Sequence, residues 1–360
     1  MKVIKANMLK QYFSNRTKRF QQLAVLLVVV IVAGIGTYLL TGSHAATPYA
    51  SITADKGTLT SPATSQSCSG ASDGNCVHFG STSGGGGTGS GSWWKPSSAH
   101  SLSWYWEISN VPATLSYPAQ VYDIDGLGAN TSGQTQAQQQ ATITGEVSTL
   151  HSQGKKVICY MDAGTSENFR YDFSSFPSGL MGSTNGWPGE QWLDVRPSGP
   201  YYSQLQQIMT KRFQQCKTEG FDAVEPDNID SWDGNNPGFP TSASDQATYN
   251  KWIATTVHGL GMSVGLKNDG NQTGSPNSSD TSSQDNLTPS FDWALDEQCN
   301  QYSECDLFAP FVTAGKAVFN AEYSGSTSTF CPADASAHIN GALFALNLDG
   351  SKYTPCTQTW

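Results

Sequence analysis

A chain of 360 residues has room for one large domain or two smaller ones, with core enough for a barrel or a doubly wound sheet. Charged residues make up only 13% and Gly, Ser, Thr and Asn are heavy, which suits a secreted enzyme better than a cytosolic one. The first 22 residues hold six Lys/Arg and no acid, leaving 13 Lys/Arg against 29 Asp/Glu beyond them; that body, near −16, would repel nucleic acid and suits a neutral or cationic ligand.

The basic head runs into "LAVLLVVVIVAGIGTYLL", Leu23 to Leu40, an uncharged stretch of 18 residues. A basic flank before an apolar run directs the following chain across a membrane. Residues 1–45 are therefore either a signal peptide, cut after the small residues of "SHA", or a single membrane anchor. In both cases the body is extracellular. Residues 47–79 read as a small β-rich spacer, and "GSTSGGGGTGSGS", residues 80–92, is a flexible linker.

From Trp93 the punctuation becomes regular. Eight short β-rich runs recur: "SLSWYWEIS", "AQVYDIDG", "KKVICYMDAG", "FDAVEPDNID", "MSVGLKN", "FDWALDEQ", "KAVFNAEYSG" and "GALFALNLDG". Helical spacing marks "ATITGEVSTLHSQG", "YYSQLQQIMTKRFQQCKTEG" and "SASDQATYNKWIATTVHGLG", the last opening with Ser and Asp as cap candidates. Eight strands alternating with helices over residues 93–360 is the rhythm of an α/β fold of the (β/α)8 TIM-barrel type. A doubly wound sheet is the alternative, but no Gly-rich phosphate loop follows the first strand.

Eight cysteines fit an oxidising compartment. Cys68 with Cys76 and Cys299 with Cys305 are spaced for local disulfides, and Cys331 with Cys356 could close the C-terminal segment. Cys159 and Cys216 read as buried free thiols. No Cys-x-x-Cys occurs and the six His are scattered, so neither a metal nor a cofactor is expected.

Barrel strands end at the active-site face, and here nearly every strand begins apolar and ends in acid. Asp123 and Asp125, Asp162, Glu225 and Asp227, Asp296 and Glu297, and Glu322 would ring one mouth. Side chains two apart share a face, so Glu225 pairs with Asp227 and Asp123 with Asp125. Paired acids fit glycoside hydrolysis, one carboxyl protonating the leaving oxygen while another attacks or activates water. Calcium or magnesium binding and helix capping compete for the same residues, capping most strongly for Asp230 and Asp233. Ten Trp and fourteen Tyr, among them Trp104, Trp106, Trp187 and Trp192, would supply rings for sugar to stack on.

The motifs "VYDIDG", "VICYMDAGTSENFRYD", "WPGEQWLDVR", "GFDAVEPDNID", "VGLKN", "DEQCNQYSEC" and "FNAEYSG" occur in this order between Trp93 and Gly325. Together they resemble glycoside hydrolase family 114, the endo-α-1,4-polygalactosaminidases. The resemblance implies a TIM-type barrel, a galactosamine polymer as substrate, and Asp227 and Glu297 as the catalytic acids, with nucleophile and acid/base roles interchangeable. Expected substrate-binding positions are Asp123, Asp125, Tyr160, Asp162, Glu225, Asn228, Lys267, Asn268, Glu322 and Trp104. Asp123, Asp125 and Asp162 are the candidates for reading the amino group, and Lys267 and Arg170 for moderating acid repulsion. "SPNSSDTSSQD" departs from the pattern as an added loop. A polycationic substrate agrees with the acidic body. The rival classes are a barrel glycosidase or transglycosylase of other linkage, a non-catalytic surface binder, and a metal-dependent deacetylase lacking its His cluster.

Overall fold

The computed structural model describes residues 63–67, 75–79 and 93–360; the segment expected to be a signal peptide or anchor lies outside them. Among the described residues no helix is long and apolar enough to cross a membrane. The chain divides into two compact units, Met1–Gly87 and Thr88–Trp360. In the first, β1 (Ala63–Ser67) and β2 (Asn75–Phe79) form an antiparallel ribbon with Ala63 opposite Phe79. Cys68 falls outside the described residues, and with it the expected Cys68–Cys76 bridge.

The second unit opens with parallel strands β3 (Trp104–Glu107), β4 (Val121–Asp125) and β5 (Lys156–Asp162). A small antiparallel sheet of β6 (Thr165–Glu167), β7 (Met181–Thr184) and β8 (Glu190–Leu193) follows β5. The parallel sheet resumes with β9 (Ala223–Asp227), β10 (Ser263–Lys267), β11 (Trp293–Glu297), β12 (Val318–Glu322) and β13 (Ile339–Phe344), and β14 (Tyr353–Pro355) adds antiparallel at its end. All eight expected runs are thus parallel strands of one nearly closed barrel. The seam between β3 and β13 is stitched by side chains. Trp104 Nε1 donates to Asn340 O at 2.8 Å, Leu102 N to Asn340 Oδ1 at 2.6 Å, and the Tyr353 hydroxyl to Trp104 O at 2.7 Å.

Helices α1 (Gln136–Ser152), α2 (Tyr202–Glu219) and α3 (Ala243–Gly259) match the three helical patterns. Thr135 with Gln138 and Ser242 with Asp245 form capping boxes, satisfying backbone N–H groups that the first turn leaves free. Gly220, at φ +96°, ends α2 in a conformation that costs a residue with Cβ. The alternation is incomplete elsewhere. No helix of regular length joins β3 to β4, and the segment holding "SPNSSDTSSQD" runs irregularly from β10 to β11, where a barrel would place one. Short α4 (Cys299–Tyr302) and α5 (Ala309–Thr313) follow β11, and α6 (Thr327–Ser336) covers β12 and β13.

Strand alternation sorts the core. Trp104, Trp293 and Phe319 point into the barrel and pack there with Phe344, with ring centroids 5.1–5.7 Å apart. Burying such a ring contributes on the order of 2–3 kcal/mol. Gly265 makes room: a Cβ there would lie 2.5 Å from the Trp293 ring. On the outer face, Cys159 of β5 meets Cys216 of α2, their Cα atoms 6.0 Å apart. The two are bonded, correcting the expectation of free thiols, because both face the strand–helix interface. Cys299–Cys305 and Cys331–Cys356 are bonded as expected.

Candidate active site

At the C-terminal ends of the strands the barrel opens into a cleft of about 590 Å³, a size typical of ligand sites. Its centre is Lys267, last residue of β10 and fully buried. Its Nζ lies 2.7 Å from Asp227 Oδ1, 3.0 Å from Glu297 Oε2 and 3.3 Å from Glu225 Oε1, and it sits over the Trp106 ring at 4.9 Å. Burial alone would favour the neutral amine, but Asp227, Glu297 and Glu225 outweigh it and hold the ammonium protonated well above its ordinary range.

Each candidate catalytic acid has further donors. Asp227 Oδ1 accepts from the backbone N–H of Asn228 at 2.9 Å and Oδ2 from the Tyr160 hydroxyl at 3.0 Å. Glu297 Oε2 accepts from Asn268 Nδ2 at 3.2 Å, and Oε1 from the Tyr323 hydroxyl. The residues following Asp227, Lys267 and Glu297 all turn left-handed: Asn228 at φ 59°, Asn268 at 49° and Gln298 at 66°. For non-glycine residues that costs roughly 1–2 kcal/mol each. The turns fold Asn228 and Asn268 back over the site, Asn228 Nδ2 donating to Asp162 Oδ2 at 2.8 Å.

The expected acids separate by depth and partner. Asp123 and Glu225 are fully buried beneath the cleft floor, and burial pushes Glu225 up to about 7. Arg170 Nη1 occupies both Asp125 oxygens, at 2.8 and 2.7 Å, while its Nε donates to Glu167. Asp162 is buried under Thr165, Gly164 and Asn228. None of the three acids expected to read an amino group therefore presents an unoccupied carboxylate at the cleft surface.

Besides Asp123, Asp162 and Glu225, two more expected residues do not line the cleft. Glu322 points outward from β12, where Oε1 accepts from Asn300 N at 2.9 Å and Asn320 Nδ2 at 3.3 Å; the inward neighbour is Tyr323. Trp104 does face inward, but one layer too deep, packed against Phe319 and Phe344. Trp106, two residues on, is the β3 ring that reaches the cleft. Asp230 and Asp233 do not cap α3, since Ser242 does. Asp230 lines the cleft, its carboxyl raised to about 7 by burial and then by Asp227.

The site also holds residues that strand-end patterning passed over. Tyr323, Glu167 and Glu190 line the cleft with Trp187 and Trp192 of the β6–β8 insertion. Burial pushes Glu190 up to about 7, and Asn185 Nδ2 donates to it at 2.6 Å. The signals for this wall were the "WPGEQW" motif and the "TSENFRYD" that follows β5. Among the described residues Asp162, Glu167 and Glu190 bring carboxylate oxygens within 4.8 Å of one another, close enough to hold a cation. Arg170 and Arg212 already offset charge there, Arg212 Nη1 lying 3.7 Å from Glu167.

The sequence signature of glycoside-hydrolase family GH114 matches residues 87–359. The chain belongs to family GH114. It is thus a glycoside hydrolase, and the family extends past the motifs between Trp93 and Gly325 to the C-terminal strands. Among solved structures it is similar to Ega3 of Aspergillus fumigatus in complex with galactosamine, at 30% identity and a TM-score of 0.59, covering 73% of this chain and 97% of that one. It is also similar to the glycoside hydrolase domain of PelA from Pseudomonas aeruginosa, at 11% identity and a TM-score of 0.47, covering 70% and 96%. No curated protein sequence matches it.

Proposed function

We propose that this GH114 enzyme is exported and cleaves internal α-1,4 linkages of a galactosamine-containing polysaccharide, with Asp227 as nucleophile and Glu297 as acid/base. The observation that carries the mechanism is the single ammonium shared by both acids. Two oxygens bound to one nitrogen at 2.7 and 3.0 Å can lie no farther apart than those distances summed, about 5.7 Å. That ceiling on the nearer oxygens favours a retaining pair, whose carboxyl groups stand roughly 5–5.5 Å apart, over an inverting pair that must leave room for water between them. Asp227 is the deeper acid and its donors include a backbone N–H that can only donate, which suits a group that stays ionised. Glu297 is more exposed, and its Tyr323 partner can donate to the carboxylate or accept from the acid.

In the first step Asp227 attacks the anomeric carbon while Glu297 gives its proton to the departing glycosidic oxygen. In the second, ionised Glu297 takes a proton from water, whose oxygen displaces Asp227 and restores the α configuration. The −16 body and the ring of acids favour a cationic polymer over a phosphate-bearing one. The basic and apolar N-terminus and the three disulfides among the described residues support export.

The test is mass spectrometry of products formed by the purified full-length chain from an α-1,4-galactosamine oligomer, beside Asp227→Asn and Glu297→Gln. Internal cleavage lost in both variants supports substrate and acid pair together. An intact oligomer would sink the substrate assignment and direct the search to other linkages.

A further inference from the structure

Beneath the cleft floor, the inward faces of β4 and β9 place Asp123 and Glu225 together, each 0% exposed and within hydrogen-bond reach of the other. Among the described residues no donor reaches either oxygen of Asp123, and none makes a hydrogen bond of good geometry to Glu225. The one cation nearby is Lys267, 3.3 Å from Glu225 Oε1. The ionisable groups facing this pair are Asp227 from β9, Lys267 from β10, Glu297 from β11 and the Tyr160 hydroxyl from β5. Were every carboxyl ionised, four negative charges would surround a single ammonium, two of them, on Asp123 and Glu225, shut away from solvent and without a hydrogen-bond donor.

We propose that Asp123 is a positioning residue that keeps its proton, donates that O–H to Glu225, and through Glu225 holds Lys267 between Asp227 and Glu297. The inference rests on the assignment of those two acids above. A hydrogen bond from a neutral acid to a carboxylate is short and strong, and it supplies the donor that Glu225 otherwise lacks. It also removes one negative charge from the cluster without placing a second cation there. Burial first, then Glu225, raise the Asp123 carboxyl well above the usual carboxylate range, which agrees with the geometry. Asp123 touches no substrate, since Glu225, Lys267 and the cleft floor lie above it.

The discriminating variants are Asp123→Asn, which has the shape of a protonated carboxyl and keeps a donor, and Asp123→Ala, which keeps neither. On the galactosamine oligomer, Asp123→Asn should hold kcat within about 3-fold and leave the pH profile superimposed on wild type, whereas Asp123→Ala should lower kcat roughly 10- to 100-fold at unchanged KM. An Asn variant as impaired as the Ala variant would overturn the proposal. So would an Asn profile whose alkaline limb falls by about one pH unit, the shift expected when a real negative charge leaves the cluster. A substrate-free readout separates this inference from the choice of polymer. The infrared difference between wild type and Asp123→Asn at neutral pH should contain the carbonyl stretch of a protonated carboxyl group. Its absence refutes a protonated Asp123 whether or not the oligomer is cleaved. The Asn variant and the spectrum decide the matter should Asp123→Ala fail to fold.

Discussion

Lys267 Nζ and Asp227 Oδ1 lie 2.7 Å apart at the base of the cleft, and the same nitrogen reaches Glu297 at 3.0 Å. One buried cation thus fixes the spacing of the acid pair and offsets their repulsion. Removing it leaves both acids and Glu225 without their shared counter-charge, so their carboxyls should rise together. Lys267→Met should therefore lower kcat/KM by about 10³-fold and move the acidic limb of the pH profile upward. A profile that drops in height without moving would show that Lys267 acts by packing alone.

The two acids can be told apart chemically. Replacing either by Ala empties the position it held, and added azide can take up the missing role. If Asp227 is the nucleophile of a retaining reaction, azide should rescue Asp227→Ala by direct displacement and give the β-azide. In Glu297→Ala, azide should attack the glycosyl-enzyme and give the α-azide. NMR of the products reads the configuration, and the reverse pattern would exchange the roles.

The barrel, and the meeting of Asp227 with Glu297 at its mouth, were legible for one physical reason. Parallel strands are covered on both faces, so they read as short apolar runs, and the chemistry begins where the run stops. What stayed hidden depends on phase and depth. Glu322 and Tyr323 are adjacent at a strand end, and only the register of β12 decides that the tyrosine faces Glu297 while the glutamate binds Asn300. Trp104 and Trp106 share a face, yet one is floor and the other wall. Arg170 closing on Asp125, and Cys159 meeting Cys216 across 57 residues, are long-range contacts with no local signature. The irregular β10–β11 connection had a sign in its Ser- and Asp-rich composition, read as an added loop and not as the place of a missing helix.

Stability should fall on the alkaline side. Burial pushes Glu219 up to about 8 and Glu225 and Asp230 to about 7, each above its unfolded value. The folded chain then binds more protons than the unfolded one from about pH 4.5 to 8, and its stability decreases as pH rises through that window. The opposite sign applies to Asp172 and Asp292. Burial works to raise them, but Arg212 and His258 respectively lower them, so their contribution is lost in stronger acid. Scanning calorimetry should place the highest Tm near pH 5, with a drop of roughly 3 °C or more by pH 8. Glu219→Gln should flatten that drop. A Tm that climbs to pH 8 would contradict the argument.

Trp187 is 50% exposed yet lines the cleft, at the turn between β7 and β8. A large ring left in water contributes little to folding, so its removal should leave Tm almost unchanged. Against a polymer it offers a flat apolar face for the C–H side of a sugar some distance from the cleavage point. Such a contact serves only a chain long enough to reach it. Trp187→Ala should therefore raise KM about 10-fold on long galactosamine oligomers, a loss of roughly 1.4 kcal/mol, while altering the shortest cleavable oligomer much less. Equal losses at every chain length would mean that the ring shapes the catalytic centre instead of extending the binding surface. No loss at any length would leave the insertion wall without a part in substrate binding.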